Sequence, residues 1–442
     1  MVALRGNSRL IVVLLFSVGQ VRAQSEQTNR TVRHHPVAVP ETSVASTLLD
    51  QAENLLAKGD YAGAEPLLQQ ATVKDPKSYQ AWYDLGYAEQ ALKHSADAIA
   101  DYRRSVGINP KIFETNLNLG LALAAADQRD EAIKYLKAAT ELQPTTHSEQ
   151  GKEHVWLALG QLQVGSDPSA AEKCFGEAAR VTPADPQPHL LLAELDENSG
   201  KGEQAQAEYR QALSRAQGAD RIQALRGLVN LAIASGQLSE AGSDIRQYLA
   251  VAPSDRQAHL LLGRVLAAQG KNEDALAELN QAGDENDPAM LRERAELLSG
   301  LQRETDALPL YKRLVEENGA DAQLRYEYGL SLMHLKQWAP AEEQLLAAVK
   351  LNPNLARAYG DLAVVASDNQ QYDLTLKALD VRVKLLGDNP GTYFLRATAL
   401  DHLRRYPEAT QNYRQFLTVA SGKYPDEEWK ARHRLIAIQN LK

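Results

Sequence analysis

The apolar residues of this chain recur in a helical rhythm, and that rhythm itself repeats. Between Tyr79 and Pro144, a first stretch places Trp82, Leu85 and Gly86 on one helix face. A second sets Ala98 and Tyr102 one turn apart and ends at Pro110. The same series returns 34 residues later as Asn116, Leu119 and Gly120, then Ala132, Leu136 and Ala139, then Pro144. Residues three or four apart share a helix face, so each series predicts two helices joined by a tight turn. Gly86 has no Cβ and lets the second helix approach. Ala98 is the small residue facing it, and Pro110 cannot continue a helix, so it resets the chain. One such pair cannot bury its own apolar face, whereas stacked copies can.

The phase persists along the chain. Ala52, Ala64, Leu68, Ala71 and Pro76 mark a degenerate first copy. After Pro144, roughly six extra polar residues interrupt the period, which resumes at Trp156, Leu159, Gly160, Ala171, Phe175 and Pro183. Later copies carry Leu192 and Tyr209, Leu228 and Ile245, Gly263 and Leu279, Ala295 and Tyr311, Gly329 and Leu345, Leu362 and Leu379, and Ala397 and Tyr413. In the tenth, Thr375 replaces the usual Ala. About eleven units result, in the order 45–144 (units one to three), an inserted loop at 145–152, and 153–423 (units four to eleven). Residues 424–442 read as a capping helix. Asp426, Glu427 and Glu428 suit its N-terminus, and Trp429, Ala431, Leu435, Ile436 and Ile438 alternate with basic residues.

The series W-x2-L-G, then A-x3-F/Y/L, then P, as carried by Trp82, Leu85, Gly86, Ala98, Tyr102 and Pro110, resembles the tetratricopeptide repeat. The resemblance covers nearly all of residues 45–423. It implies an all-α, right-handed α-solenoid of about eleven helix–turn–helix units, whose role is to hold protein or peptide partners.

Composition supports helix: the chain is rich in Ala, Leu and Gln, and only 6% aromatic. Its formal charge of −9 is spread over interspersed signs, and no basic block suggests nucleic acid. The N-terminus has the form of a secretory signal over residues 1–23. Arg5 and Arg9 precede the apolar run Leu10–Val18, Val21-Arg22-Ala23 forms a small-x-small cleavage site, and Gln24 would begin the exported chain. The run is too short to span a bilayer, so export to the periplasm or the extracellular space is expected, with no membrane span. Residues 24–44 are polar, contain Pro36 and Pro40, and read as a disordered linker. Within it lie a lone glycosylation sequon at Asn29-Arg30-Thr31 and the pair His34-His35, too few ligands for a metal.

Catalytic signatures are missing from the sequence: no G-x-S-x-G elbow, no phosphate loop, no dinucleotide fingerprint and no H-E-x-x-H. The run Asp284–Asp287 lacks the spacing of a calcium loop. Cys174 is the sole cysteine, stands beside Phe175, and reads as a small core residue. The repeats account for every helical stretch, leaving no separate catalytic domain. A non-enzymatic chain without cofactor or metal is therefore expected.

In proteins that the sequence resembles, positions 2, 5, 9 and 12 of each first helix line a concave groove. Carried over, they give an apolar row of Tyr83, Tyr87, Leu117, Leu121, Leu157 and Leu190, then a polar and basic set of Arg226, Asn230, Arg264 and Arg292 with Glu296 nearby. The apolar row reads either as partner anchors or as packing between repeats. The arginines read either as an anion grip or as salt-bridged surface. Arg226 and Asn230 partly resemble a clamp for a peptide carboxylate, but Leu261, Ala289 and Glu293 break its pattern. The leading expectation is an exported scaffold gripping peptide segments in its groove. The alternative is a structural component of an envelope-assembly or secretion complex that makes contact through its outer edges.

Overall fold

The computed structural model describes residues 2–6, 9–13, 44–145, 149–283 and 286–440. Among them, twenty-three helices follow one short antiparallel hairpin, β1 (Val2–Gly6) with β2 (Arg9–Val13). The hairpin falls on the stretch read as the positive and apolar start of a signal. The remainder of that signal, the sequon and the His pair lie outside the described residues.

The chain divides into two compact bodies, 1–254 and 255–442. In the first, six helix pairs follow one another: α1 (Val44–Ala57) with α2 (Tyr61–Lys74), α3 (Tyr79–Ala91) with α4 (Ser95–Ile108), α5 (Phe113–Ala125) with α6 (Arg129–Thr140), α7 (Glu149–Gln163) with α8 (Pro168–Val181), α9 (Gln187–Asn198) with α10 (Gly202–Arg215), and α11 (Gly218–Ala234) with α12 (Leu238–Val251). The second holds α13 (Arg256–Ala268) with α14 (Asn272–Ala282), α15 (Pro288–Gly300) with α16 (Glu304–Glu317), α17 (Ala322–His334) with α18 (Trp338–Leu351), α19 (Ala356–Asp368) with α20 (Tyr372–Leu386), and α21 (Pro390–His402) with α22 (Tyr406–Ala420). A single helix, α23 (Pro425–Gln439), closes it. Within each body the partners of a pair pack most closely, and each second helix leans on the first helix of the next pair. This is an α-solenoid of eleven units with a final unpaired helix.

The register read from sequence is the register of the packing. Ala64, Ala98, Ala132, Ala171, Ala205, Ala241, Ala275, Ala307, Ala341 and Ala409 are fully buried, and so is Thr375 at the same position in the tenth unit. Its hydroxyl is accommodated by donating to the Gln371 carbonyl one turn back, at 3.2 Å. Helix starts are set by local chemistry. Asp60, Asp167, Asp255, Asp287 and Asp321 cap the following helices with their carboxylates, with Pro168 and Pro288 in the first turn. The turn inside most units needs one left-handed residue. Gly59, Gly200, Gly236 and Gly270 fill it without steric cost, while Lys93, Asp127, Gln302, Lys336, Gln370 and Arg404 fill it as non-glycine residues.

The inserted segment differs from the expected loop at 145–152. α7 begins at Glu149, four residues before the repeat phase, because the extra turn has something to cover. A Cβ added at Gly151 would lie 3.1 Å from the Phe113 ring, which is itself buried. Glu114 anchors the start of the segment by accepting from the Thr145 amide at 2.8 Å and hydroxyl at 2.6 Å.

Candidate interaction surface

The faces of successive first helices are tied to one another by polar side chains, at a spacing that follows the repeat. Asn118 donates to the Tyr83 hydroxyl at 3.0 Å, Arg292 to Glu327 at 3.0 Å, and the Tyr326 hydroxyl to Asp361 at 2.8 Å. In each case a residue at position 5 of one first helix meets position 6 of the next, 35 residues on. Further rungs join Gln187 to Asp220 at 2.9 Å, Gln223 to Glu194 at 2.7 Å and Arg264 to Glu293 at 3.0 Å.

These rungs and the apolar packing beside them settle where the expected groove residues stand. The apolar row is not an exposed one. Tyr83 is 1% exposed and packs with Ala98, Ile99 and Tyr102. Leu117 and Leu121 are buried among Phe113, Leu136 and Val155. Leu157 lies against Phe175 and Leu191, and Leu190 against Tyr209 and Leu228. Only Tyr87 keeps partial exposure, and it meets Tyr61 edge-on with ring centroids 6.1 Å apart. The physical reason is the closeness of the surrounding helices: a large side chain at position 5 or 9 is taken up between its own second helix and the adjoining unit before it reaches solvent.

The basic set is also engaged. Arg226 donates to the Tyr248 hydroxyl at 3.0 Å and lies over that ring, and Asn230 beside it is buried. In the second body, Arg264 is 8% exposed and pairs with Glu293 at 2.8 Å. Arg292 serves three carboxylates, Glu296 at 3.2 Å, Asp321 at 2.9 Å and Glu327 at 3.0 Å. Burial alone would lower its pKa; Glu327 leads the carboxylates that raise it above the ordinary value instead. Arg264 and Arg292 thus stand as ion-paired rungs rather than as open grips for an anion.

An open cleft of about 670 Å³ lies between α6, α7 and α8, with Trp156, Leu159, Gln163 and Cys174 among its lining residues. The Cys174 thiol donates to Gln163 at 3.4 Å, and burial pushes it up to about 11, so it stays a protonated thiol rather than a nucleophile. Sequence reasoning missed the side chains at the far end. On α19, Arg357 and Val364 face solvent, with Gly360 between them on one stripe. The signal available was a glycine at position 5, where the other first helices of the second body carry Leu260, Arg292, Tyr326 and Phe394.

Two family profiles described as tetratricopeptide repeat match this chain, one at residues 49–111, 226–290 and 292–356, the other at 113–146. The chain is a tetratricopeptide-repeat protein. Among curated proteins it is similar to the BBSome complex member BBS4 of Mus musculus, 27% identical over 136 residues. That match spans 31% of this chain and 25% of BBS4, so the tetratricopeptide-repeat chain covers about a quarter of that relative. Among solved structures, it is similar to PilF of Pseudomonas aeruginosa, with 20% identity and a TM-score of 0.39 over 48% of this chain and 94% of that one. It is also similar to PilW, described as a widely conserved type IV pilus biogenesis factor. Here identity is 22% and the TM-score 0.40, over 50% of this chain and 100% of PilW.

Proposed function

We propose that this tetratricopeptide-repeat protein is an exported, non-enzymatic scaffold that holds a protein or peptide segment along the faces of its first helices. The observation that carries the reading is the repetition of one helix pair through each body. Within each body successive pairs set their first helices beside one another, and side chains such as Arg292 and Tyr326 join one unit to the next. A repeated surface of this kind is suited to recognising an extended ligand. Among the described residues no helix is long and apolar enough to cross a membrane. Export rests on the signal-like residues 1–23. It is tested by sequencing the N-terminus of protein recovered outside the cytoplasm: Gln24 is expected first, and a chain found only in the cytoplasm with Met1 intact overturns it.

Site-specific photo-crosslinking tests the scaffold reading, with the crosslinker placed in turn on first-helix and second-helix faces. Adducts to a discrete partner from first-helix positions support it, and adducts confined to other faces refute it. The second reading, contact through an outer edge, draws on one observation: Trp429 and Ile436 on α23 are 61% and 58% exposed.

A further inference from the structure

Several second helices hand the chain to the next unit by the same backbone step, and one of these steps differs chemically from the rest. Asp75, Asn109 and Asn352 follow α2, α4 and α18 with φ/ψ of −133°/85°, −135°/98° and −132°/91°. In each, the side-chain oxygen accepts from the amide two residues on, at 3.0 Å, 3.2 Å and 3.1 Å. The next residue is Pro76, Pro110 or Pro353. Asn318 follows α16 with similar dihedrals, −136° and 74°, but both features are missing there. Gly319 stands in place of the proline, in the sole Asn-Gly pair of the chain. Among the described residues, the Asn318 side chain has no hydrogen-bond partner and the Gly319 amide has no acceptor.

The missing proline matters because the backbone nitrogen after an asparagine is a nucleophile toward that residue's own Cγ. Proline has no N–H to give up, and the hydrogen bond in the other turns holds the side-chain oxygen forward. Glycine is the opposite case. Its N–H is present, and without a Cβ it hinders least the rotation that brings nitrogen and Cγ together. Asn318 is exposed, so water has access to it. The bonds that do hold this turn leave the reacting groups free. The Asn318 amide donates to the Leu314 carbonyl at 2.8 Å, and Arg325 Nε donates to the Gly319 carbonyl at 2.6 Å.

We propose that Asn318-Gly319 is a self-modification site, at which the folded protein converts Asn318 to aspartate and isoaspartate with water as the only co-reactant. The Gly319 nitrogen bonds to Cγ of Asn318 and the Cγ–Nδ2 bond breaks. The proton lost from the Gly319 nitrogen leaves with the side-chain amine as ammonia. Water then opens the cyclic imide and restores the Gly319 N–H. Addition at Cγ gives aspartate. Addition at the backbone carbonyl carbon gives isoaspartate, whose main chain runs through Cβ and Cγ. Nothing is oxidised or reduced, and an amide becomes a carboxylate. The isoaspartyl form lengthens the path from α16 to Asp321 by a methylene. Asp321 caps α17 by accepting from the Gln323 and Leu324 amides at 2.9 Å and 3.0 Å, and it accepts from Arg292 at 2.9 Å. Modification of the turn therefore loosens a joint between two units.

The test incubates the full chain in mildly alkaline buffer at physiological temperature, with and without denaturing guanidinium, and follows it by tryptic digestion and mass spectrometry. The tryptic peptide 314–325 carries Asn318, and 105–111 carries Asn109-Pro110 as an internal control. The amide should be intact at the start. Peptide 314–325 should then convert to two acid forms of equal mass, at a rate in the folded chain within tenfold of that in guanidinium, while 105–111 stays unchanged. Gly319→Pro removes the nucleophile, and Asn318→Gln closes the imide far more slowly through its longer side chain. Both should keep the amide and melt like the fresh parent. The urea midpoint should fall on ageing in the parent and in neither variant. An amide that persists in the folded chain while the denatured chain loses it overturns the assignment, because the fold then protects the turn. A single acid form, or undiminished conversion in Gly319→Pro, overturns it as well. A midpoint unmoved by full conversion overturns the effect on Asp321.

Discussion

A Cβ at position 120 would stand 2.6 Å from Cγ of Leu136, a distance that real side chains do not adopt. The same relation recurs along the solenoid. Gly86 meets Tyr102 at 3.0 Å, Gly160 meets Phe175 at 2.5 Å, Gly263 meets Leu279 at 2.8 Å and Gly329 meets Leu345 at 3.0 Å. In these five units glycine at this phase lets a side chain of the facing helix lie directly against the backbone; other units accommodate Ala193, Ala295, Ala363 or Ala397 at the same place. Gly120→Leu should therefore overpack the contact and cost about 1–3 kcal/mol, read as a lower urea midpoint at unchanged slope. A midpoint equal to the parent's would mean that the helices separate freely there.

Arg292 sits between three carboxylates, of which Glu327 is the most buried. Arg292→Ala leaves Glu327 with Gln323 as a remaining donor, at 2.8 Å. The cost is therefore moderated to about 2 kcal/mol, below that of breaking a fully buried pair. Adding Glu327→Gln should recover roughly half of it, because the uncompensated charge is then gone. A double-mutant cycle on urea denaturation measures the coupling. Strict additivity of the two changes would place the rung outside the stability of this body.

Near the other end, Glu89 is 5% exposed at the end of α3. Burial first, then Asp101, Asp97 and Glu65, push its carboxyl up to about 8. An unfolded glutamate titrates near ~4.3. Between those values the folded chain holds a proton that the unfolded chain has released, so this contribution is present at low pH and is lost as pH rises toward 8. Glu89→Gln keeps the neutral form at every pH. Its denaturation midpoint should match the parent's near pH 5 and exceed it near pH 8, and parallel profiles across that range would rule the assignment out.

The parts of this fold that were legible in the sequence are those that repeat by packing. The alanine and glycine phases predicted the helix pairs because a tight contact tolerates few residue types. The groove lining was not legible in the same way. Position 5 carries Tyr83, Leu117, Arg292 and Tyr326, and a side chain's type does not reveal whether the next helix captures it. The capture depends on a second residue 35 places on, as with Asn118 and Asp361, and a single-unit pattern does not contain that relation. The start of α7 was misjudged because Thr145–Lys152 is polar and contains Gly151, while the reason for its helical turn, the ring of Phe113, lies in the preceding unit.

The closing helix separates packing from display on its two faces. Ile438 is 3% exposed and Ala431 fully buried against the last pair, in the cluster that holds Phe416 and Leu400. On the opposite face, Trp429 lies against His433 with ring centroids 3.9 Å apart and planes tilted by 35°, and Ile436 follows one turn later. Ile438→Ala should cost about 2–4 kcal/mol through the cavity it leaves. Trp429→Ala and Ile436→Ala should each stay within about 0.5 kcal/mol of the parent, since neither supports the core. Thermal melts distinguish the two faces directly. The outward pair then becomes a clean probe of the outer-edge reading, because the double variant folds like the parent and removes only displayed surface. Loss of crosslinked partner in that variant, with first-helix adducts absent, would assign the contact to α23. Undiminished adducts from the first helices would leave Trp429 and Ile436 without a part in binding.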